Sequence, residues 1–200
     1  MRNWEIDANI LDYTWNWPTP YGYAGRDYRP LTSVFPTPRL NYCIDSSPLA
    51  VKRAFADNLY LCIMPRRPES ANGSDSIVRY PAYSQALKQC AALRKQFLKY
   101  FTDGVLIGEC LLSEPCPAHV TSYVLSDRAL MIVLNDGAAR SIDFACDLAA
   151  WLKSPSGRYR VTAFGEDGRS RGTSTTSSRW RGQTGRLAAG EMMLFEIRAE

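Results

Sequence analysis

From Gly104 onward, six short runs alternate with turn signals: VLIGECLL, HVTSYVLS, ALMIVLND, RSIDFAC, RYRVTAFG and EMMLFEIRA. Each is rich in β-branched and aromatic residues, which fit a pleated, half-buried surface. Between them stand Ser126-Asp127, Asn135-Asp136-Gly137, Ser154-Pro155-Ser156-Gly157 and Glu166-Asp167-Gly168. Such residues make tight turns, because Gly and Asn tolerate positive φ and Asp and Ser bond their own backbone. Short strands at this spacing point to an antiparallel β-sandwich over residues 104–200. DLAAWLKS (Asp147 to Ser154) suits a helical turn or a strand equally.

Residues 1–103 follow a different pattern. PLAVKRAFAD opens with Ser47 as a plausible N-cap and Pro48 at the first helical position. NLYLCIMP then gives an apolar run, Leu59 to Met64, stopped by Pro65, as expected of a strand buried on both faces of a parallel sheet. RLNYCID (Arg39 to Asp45) reads as a further strand. In AYSQALKQCAALRKQFLKYF (Ala82 to Phe101), the residues Ala86, Cys90, Leu93, Phe97 and Tyr100 or Phe101 recur every three or four positions, so one helix with a single apolar stripe is expected. Asp103-Gly104 ends it. The order strand, helix, strand, loop, helix implies parallel strands with crossover helices. Two such units cannot close a sheet, since a full eight-stranded barrel takes about 250 residues. Either this half packs on a partner or it is the tail of something longer. The fold class expected is α+β: parallel strand–helix units over residues 1–103, then the antiparallel sandwich.

Composition narrows the function. With 46% hydrophobic and 22% charged residues, the chain has the balance of an ordinary globular protein. A net charge of +4 is too mild for a dedicated nucleic-acid binder. Arg158, Arg160, Arg169, Arg171, Arg179, Arg181 and Arg186 form a local basic concentration, but Trp180 is the sole aromatic among EDGRSRGTSTTSSRWRGQTGR. Stacking of bases would want several, so a solvated, mobile hairpin is expected there. No run of about 18 apolar residues suggests a membrane span. The start, MRNWEIDANILDYTW, lacks the apolar stretch of a signal peptide, which makes a cytoplasmic location the default expectation. Cys43, Cys62, Cys90, Cys110, Cys116 and Cys146 lie far apart with no CxxC pair, and are expected to be mostly buried, reduced thiols. His119, the single histidine, cannot build a His-rich metal site and reads as a strand histidine. The nucleophile-elbow, P-loop, zincin and dinucleotide fingerprints are all missing, and no cofactor is expected.

Two stretches stand out as places for ligand contact. TWNWPTPYGYAGRDY (Thr14 to Tyr28) holds two tryptophans and three tyrosines, yet is punctuated by Pro and Gly like a surface loop. RRPESANGSDSIVRYP, after the second strand, is a polar loop longer than connections usually are.

The order of features resembles the C-terminal end of a glycoside hydrolase in which a TIM-barrel catalytic domain precedes a β-sandwich. FPTPRLNYCID, a helix and NLYLCIMP resemble the seventh and eighth barrel units. ALKQCAALRKQFLKYFTDGVLIG resembles the final barrel helix running into the first sandwich strand. LMIVLND resembles the strand with a V-x-N ending, and GRLAAGEMMLFEIRAE the closing L-x-x-G-E strand. The likeness covers the chain from about Phe35 onward and is nearest to glycoside-hydrolase-like families. It implies a partial (β/α) barrel remnant over residues 1–103 in a carbohydrate-active protein acting on O-glycosyl bonds, with the upstream barrel portion missing from this chain. Glycoside hydrolysis needs two carboxyl groups flanking the bond, and in the resembled architecture most of that machinery lies upstream. Glu5, Asp7 and Glu69 are the acids left as catalytic candidates, so the chain alone is expected to be inactive. Trp15, Trp17, Tyr21, Tyr23 and Tyr28 could offer flat faces to sugar C–H groups. Arg66, Arg67 and Asp75 would hydrogen-bond hydroxyls on the same face. Carbohydrate is the expected partner. The alternative is a non-catalytic carbohydrate-binding or structural β-sandwich module.

Overall fold

The computed structural model describes residues 41–43, 48–58, 60–62 and 81–200. The chain divides into two compact units, Met1–Ala91 and Ala92–Glu200.

In the first unit, β1 (Asn41–Cys43) and β2 (Tyr60–Cys62) pair in parallel, with Asn41 opposite Tyr60 and Cys43 opposite Cys62. The helix α1 (Pro48–Ala56) lies between them in sequence. It buries Val51, Ala54, Phe55 and Ala56. It stops at Asn58, whose φ of 56° is left-handed, a conformation Asn adopts more readily than other side-chain-bearing residues. The parallel strand–helix–strand order expected from the sequence is therefore present. The described part of the second strand is shorter than the apolar run Leu59 to Met64.

The best helical stretch of the sequence is two helices. α2 (Pro81–Gln96) and α3 (Leu98–Asp103) are separated by Phe97, which leaves the helical conformation at φ −106° and ψ 22°. The apolar stripe is real: Ala86, Cys90, Leu93, Phe97, Tyr100 and Phe101 are all buried. Gly104 accepts the chain's exit from α3, donating its N–H to Tyr100 O at 3.1 Å in an extended conformation. A Cβ there would run into the Tyr100 carbonyl, so glycine is required for close approach, not for its φ.

The second unit carries eight strands: β3 (Val105–Gly108), β4 (His119–Val124), β5 (Arg128–Leu134), β6 (Arg140–Asp147), β7 (Arg158–Phe164), β8 (Ser170–Ser177), β9 (Arg179–Leu187) and β10 (Met192–Ala199). Six form an open sheet in the order β3-β4-β5-β10-β7-β8, antiparallel at every pairing. β6 and β9 form a second antiparallel sheet. The two sheets share one hydrophobic core, in which Met131 and Val133 of β5, Phe144 of β6, Trp180 of β9 and Phe195 of β10 all take part. Phe144, Trp180 and Phe195 form a triangle of edge-on rings with centroids 4.9 to 5.4 Å apart. The alternate residues of β5, Leu130, Ile132 and Leu134, are fully buried too. That is why this strand reads as a continuous apolar run instead of alternating. On that side α3 and the junction residue before it supply rings: Phe101 lies 4.9 Å from Tyr123, and Phe97 lies 5.2 Å edge-on to Phe164. Tyr100 donates its hydroxyl to Glu196 Oε1 at 2.8 Å, and Arg198 holds the same carboxylate. Burial, then the bond to Glu196, pushes the Tyr100 hydroxyl above its ordinary range.

The two sequence stretches LMIVLND and LAAGE meet in space. Asn135, fully buried, points its Nδ2 at the carbonyls of Ala138 (2.9 Å), Leu187 (3.1 Å) and Ala188 (3.0 Å). Its backbone N–H donates to Glu191 O, and its carbonyl accepts from Gly190 N. Glu191 Oε2 in turn accepts from Ala188 N. Gly190 turns at φ 75°. One side-chain amide thus fastens the β5–β6 turn to the β9–β10 turn.

Other expectations need correction. The Arg-rich stretch is not one mobile hairpin: β8 edges the six-stranded sheet against β7, whereas β9 pairs with β6, and Ser178 alone separates them. Its arginines are exposed as expected. DLAAWLKS forms a turn after Asp147, closed by Leu152 N to Leu148 O at 2.8 Å. No described helix is long and apolar enough to cross a membrane.

Cys90 and Cys146 are buried, Cys116 is half-buried and Cys110 is exposed. The buried-thiol expectation therefore holds for two of these four. Burial pushes the Cys146 thiol up to about 12 from its ordinary 9.0, with Cys116 adding a smaller like-charge effect. Its folded pKa is raised, so the contribution of the protonated thiol is fully present below pH 9 and is lost as pH rises toward 12. In native protein a thiol reagent is expected to modify Cys110 well before Cys146, as followed by mass-mapped labelling. Cys146→Ala should flatten the alkaline decline of the unfolding midpoint. Labelling of Cys146 as fast as Cys110 near neutral pH would contradict this.

Candidate functional site

The residues singled out for sugar contact or catalysis, Glu5, Asp7, Trp15, Trp17, Tyr21, Tyr23, Tyr28, Arg66, Arg67, Glu69 and Asp75, lie outside the described residues. A different place emerges among the residues that are described. It is a cleft of about 490 Å³ on the outer side of the β6–β9 sheet, rimmed by Glu114 and Pro115.

Its geometry follows from strand alternation. In β6, Ile142, Phe144 and Cys146 belong to the shared core, so Asp143 and Ala145 face outward. In β9, Trp180 is buried in that core while Arg181 and Gln183 are exposed. The register sets Asp143 opposite Gln183 and Ala145 opposite Arg181. A bulge adjoins this pair: Ser141 faces Arg186, so Thr184 and Gly185 oppose Ile142 alone. Gly185 takes φ 72° there. The Thr184 hydroxyl stands in for a ladder carbonyl, accepting Ile142 N–H at 3.2 Å. Bulges bend a strand and re-aim its side chains. Here Gln183 Nε2 donates to Asp143 Oδ1 at 2.7 Å.

The segment before β4 forms the third wall. Leu112 bridges to Cys146, and Ser113 N donates to Ala145 O at 2.9 Å, so this segment runs along the free edge of β6. Glu114 follows and meets Arg181 Nη2 at 3.0 Å. Buried Ala145 and the backbone of Phe144 and Gly182 form the floor. Gly182 is required inside: a Cβ would lie 2.6 Å from the Phe144 ring and 2.8 Å from Trp180.

The cleft carries two carboxylates, one guanidinium and one amide. Arg181 is 80% and Glu114 57% exposed, so their pair adds little stability. Each group keeps bonding capacity beyond its partner: the free oxygens of Asp143, Glu114 and Gln183 accept, and the remaining guanidinium N–H groups donate. The arrangement is equipped for hydrogen bonding. No grouping of three metal-ligating side chains occurs among the described residues. His119 sits half-buried in β4 with Nε2 3.5 Å from Thr121 Oγ1, as a strand histidine. Nothing local in the sequence marks the cleft residues, because three different segments supply them.

Solved structures are similar to this chain, among them the following two. One is a glycoside hydrolase, with a TM-score of 0.53 and 11% identity over 77% of this chain and 37% of that one. The other is a glycoside hydrolase family 5 protein from Bacteroides vulgatus ATCC 8482, with a TM-score of 0.52 and 15% identity over 76% of this chain and 36% of that one. No family model matches the sequence, and no curated protein does. The chain spans little more than a third of the length of either structure. At such identities the likeness is one of fold: a β-rich α+β fold related to that of glycoside hydrolases.

Proposed function

We propose that this chain is the C-terminal portion of a glycoside hydrolase acting on O-glycosyl bonds. One observation carries the reading: about three quarters of this chain superposes on proteins named as glycoside hydrolases, while filling little more than a third of their length. The parallel β1–α1–β2 unit, followed by antiparallel strands alone, supports the same order of parts. Residues 1–103 are then the end of a (β/α) barrel, and residues 104–200 an accessory β-sandwich built on the Phe144–Trp180–Phe195 core. The loops after barrel strands hold substrate in such enzymes. Trp15, Trp17, Tyr21, Tyr23, Tyr28, Arg66, Arg67 and Asp75 are accordingly assigned to substrate contact, with the catalytic carboxyl pair mainly upstream.

The test is to read the gene upstream of Met1 and express the longer product. An in-frame region of about 200 to 300 further residues is expected, from the size of a barrel. That product should hydrolyse glycosides in a panel of aryl-glycoside and polysaccharide substrates, and the 200-residue chain should not. A stop codon directly upstream, or full activity in the chain alone, would overturn the proposal.

A further inference from the structure

We infer that the cleft between Glu114–Pro115 and the outer side of β6 and β9 is a non-catalytic binding site for a neutral saccharide. The ligand class rests on the glycoside hydrolase reading; the site itself rests on geometry. A volume of about 490 Å³ falls within the roughly 300–1,000 Å³ typical of small-ligand sites. Its polar groups stand in two cross-strand rows. Asp143 with Gln183 forms one and Glu114 with Arg181 the other, and the second row reaches across buried Ala145. Each row pairs an acceptor with a donor group, so each offers both kinds of hydrogen-bonding partner side by side. Vicinal hydroxyls, each a donor and an acceptor, match such rows, and Pro115 and Ala145 offer small apolar surface to C–H groups.

Charge selects among ligands. Two carboxylates against one guanidinium leave the cleft at −1, which disfavours phosphates and uronates. The acids lack the third ligating side chain a metal site needs. The floor is too small and too polar at its rim for a large apolar ligand. A neutral polyhydroxylated ring is what remains.

The site is testable on the 200-residue chain. Backbone amide resonances would be followed by NMR during titration with neutral xylo-, cello- and laminari-oligosaccharides, with oligogalacturonate as the anionic comparison. At least one neutral oligosaccharide is expected to bind weakly and saturably, shifting the amides of Ala145, Arg181, Gly182 and Gln183. The double variant Arg181→Ala/Gln183→Ala changes exposed side chains and should fold normally while weakening that binding at least ten-fold. Asp136→Ala, exposed in the β5–β6 turn, should leave it unchanged. The inference is overturned if no neutral sugar saturates these amides, if oligogalacturonate alone binds, or if the Arg181/Gln183 variant binds as tightly as the parent chain. Hydrolysis by the longer gene product, measured alongside, keeps the two proposals apart: hydrolysis with no saccharide shift of the cleft amides in the parent chain sinks this one and leaves the other standing.

Discussion

Replacing Asn135 by alanine is expected to lower the unfolding free energy by about 3 kcal/mol, because a buried carbonyl stripped of its donor costs about 1–3 kcal/mol and several are stripped at once. The Asn135 amide faces the carbonyls of Ala138, Leu187 and Ala188, and the side chain is fully buried, so water cannot replace it without opening both turns. Asn135→Asp keeps the size but puts a carboxylate against those carbonyls, and should be at least as damaging. Asp136→Ala, one residue on and exposed, should change little. Urea unfolding followed by tryptophan fluorescence decides the matter. A loss below about 1 kcal/mol for Asn135→Ala, within the ordinary range of single substitutions, would mean the amide is not the fastener described.

Phe195→Ala should be costlier still, at about 4 kcal/mol, in the range for removing a buried aromatic side chain. Its ring contacts Phe144 and Trp180 from the facing sheet, with centroids at 5.1 and 5.4 Å. Its removal therefore opens a void where two sheets meet. Phe195→Leu refills most of that volume and should lose about 1.5 kcal/mol or less, as near-isosteric core swaps do. Because the three rings share contacts, the losses for Phe195→Ala and Trp180→Ala should not add. Additive losses in that double-mutant cycle would argue against a shared cluster.

Much of the fold can be read from residues alone where burial writes a period into them. β5 is buried on both faces and reads ALMIVL; α2 and α3 present their buried stripe at every third or fourth position. The parallel pair β1 and β2 is legible as a short apolar run after a helix that opens on Pro48. β8 was illegible for the opposite reason. Seven of its eight residues are exposed and none is buried, so SRGTSTTS carries no alternation. It is a strand because its backbone completes the ladder of β7, and backbone pairing leaves no trace in side chains. β9 is partly legible in hindsight, since Trp180, Thr184 and Leu187 are its buried residues, but the bulge shifts their spacing away from two. The break at Phe97 has no Gly or Pro to announce it. It falls where the Phe97 ring meets Phe164, a residue 67 positions away. The cleft was invisible for a related reason: Asp143 and Gln183 become neighbours through strand register alone.

The position of β10 has a consequence for how the second unit is made. It is synthesised after the other nine described strands, yet it lies between β5 and β7 in the interior of the six-stranded sheet. Until it emerges, the ribosome holds two unjoined pieces: β3, β4 and β5 on one side, β7 and β8 on the other. Each exposes an unpaired inner edge, and the ring triangle lacks its Phe195 corner. Assembly of this sheet therefore waits for β10. A product truncated before Met192 does not make a slightly smaller domain; it leaves two open edges of the kind that chaperones bind and that seed aggregation.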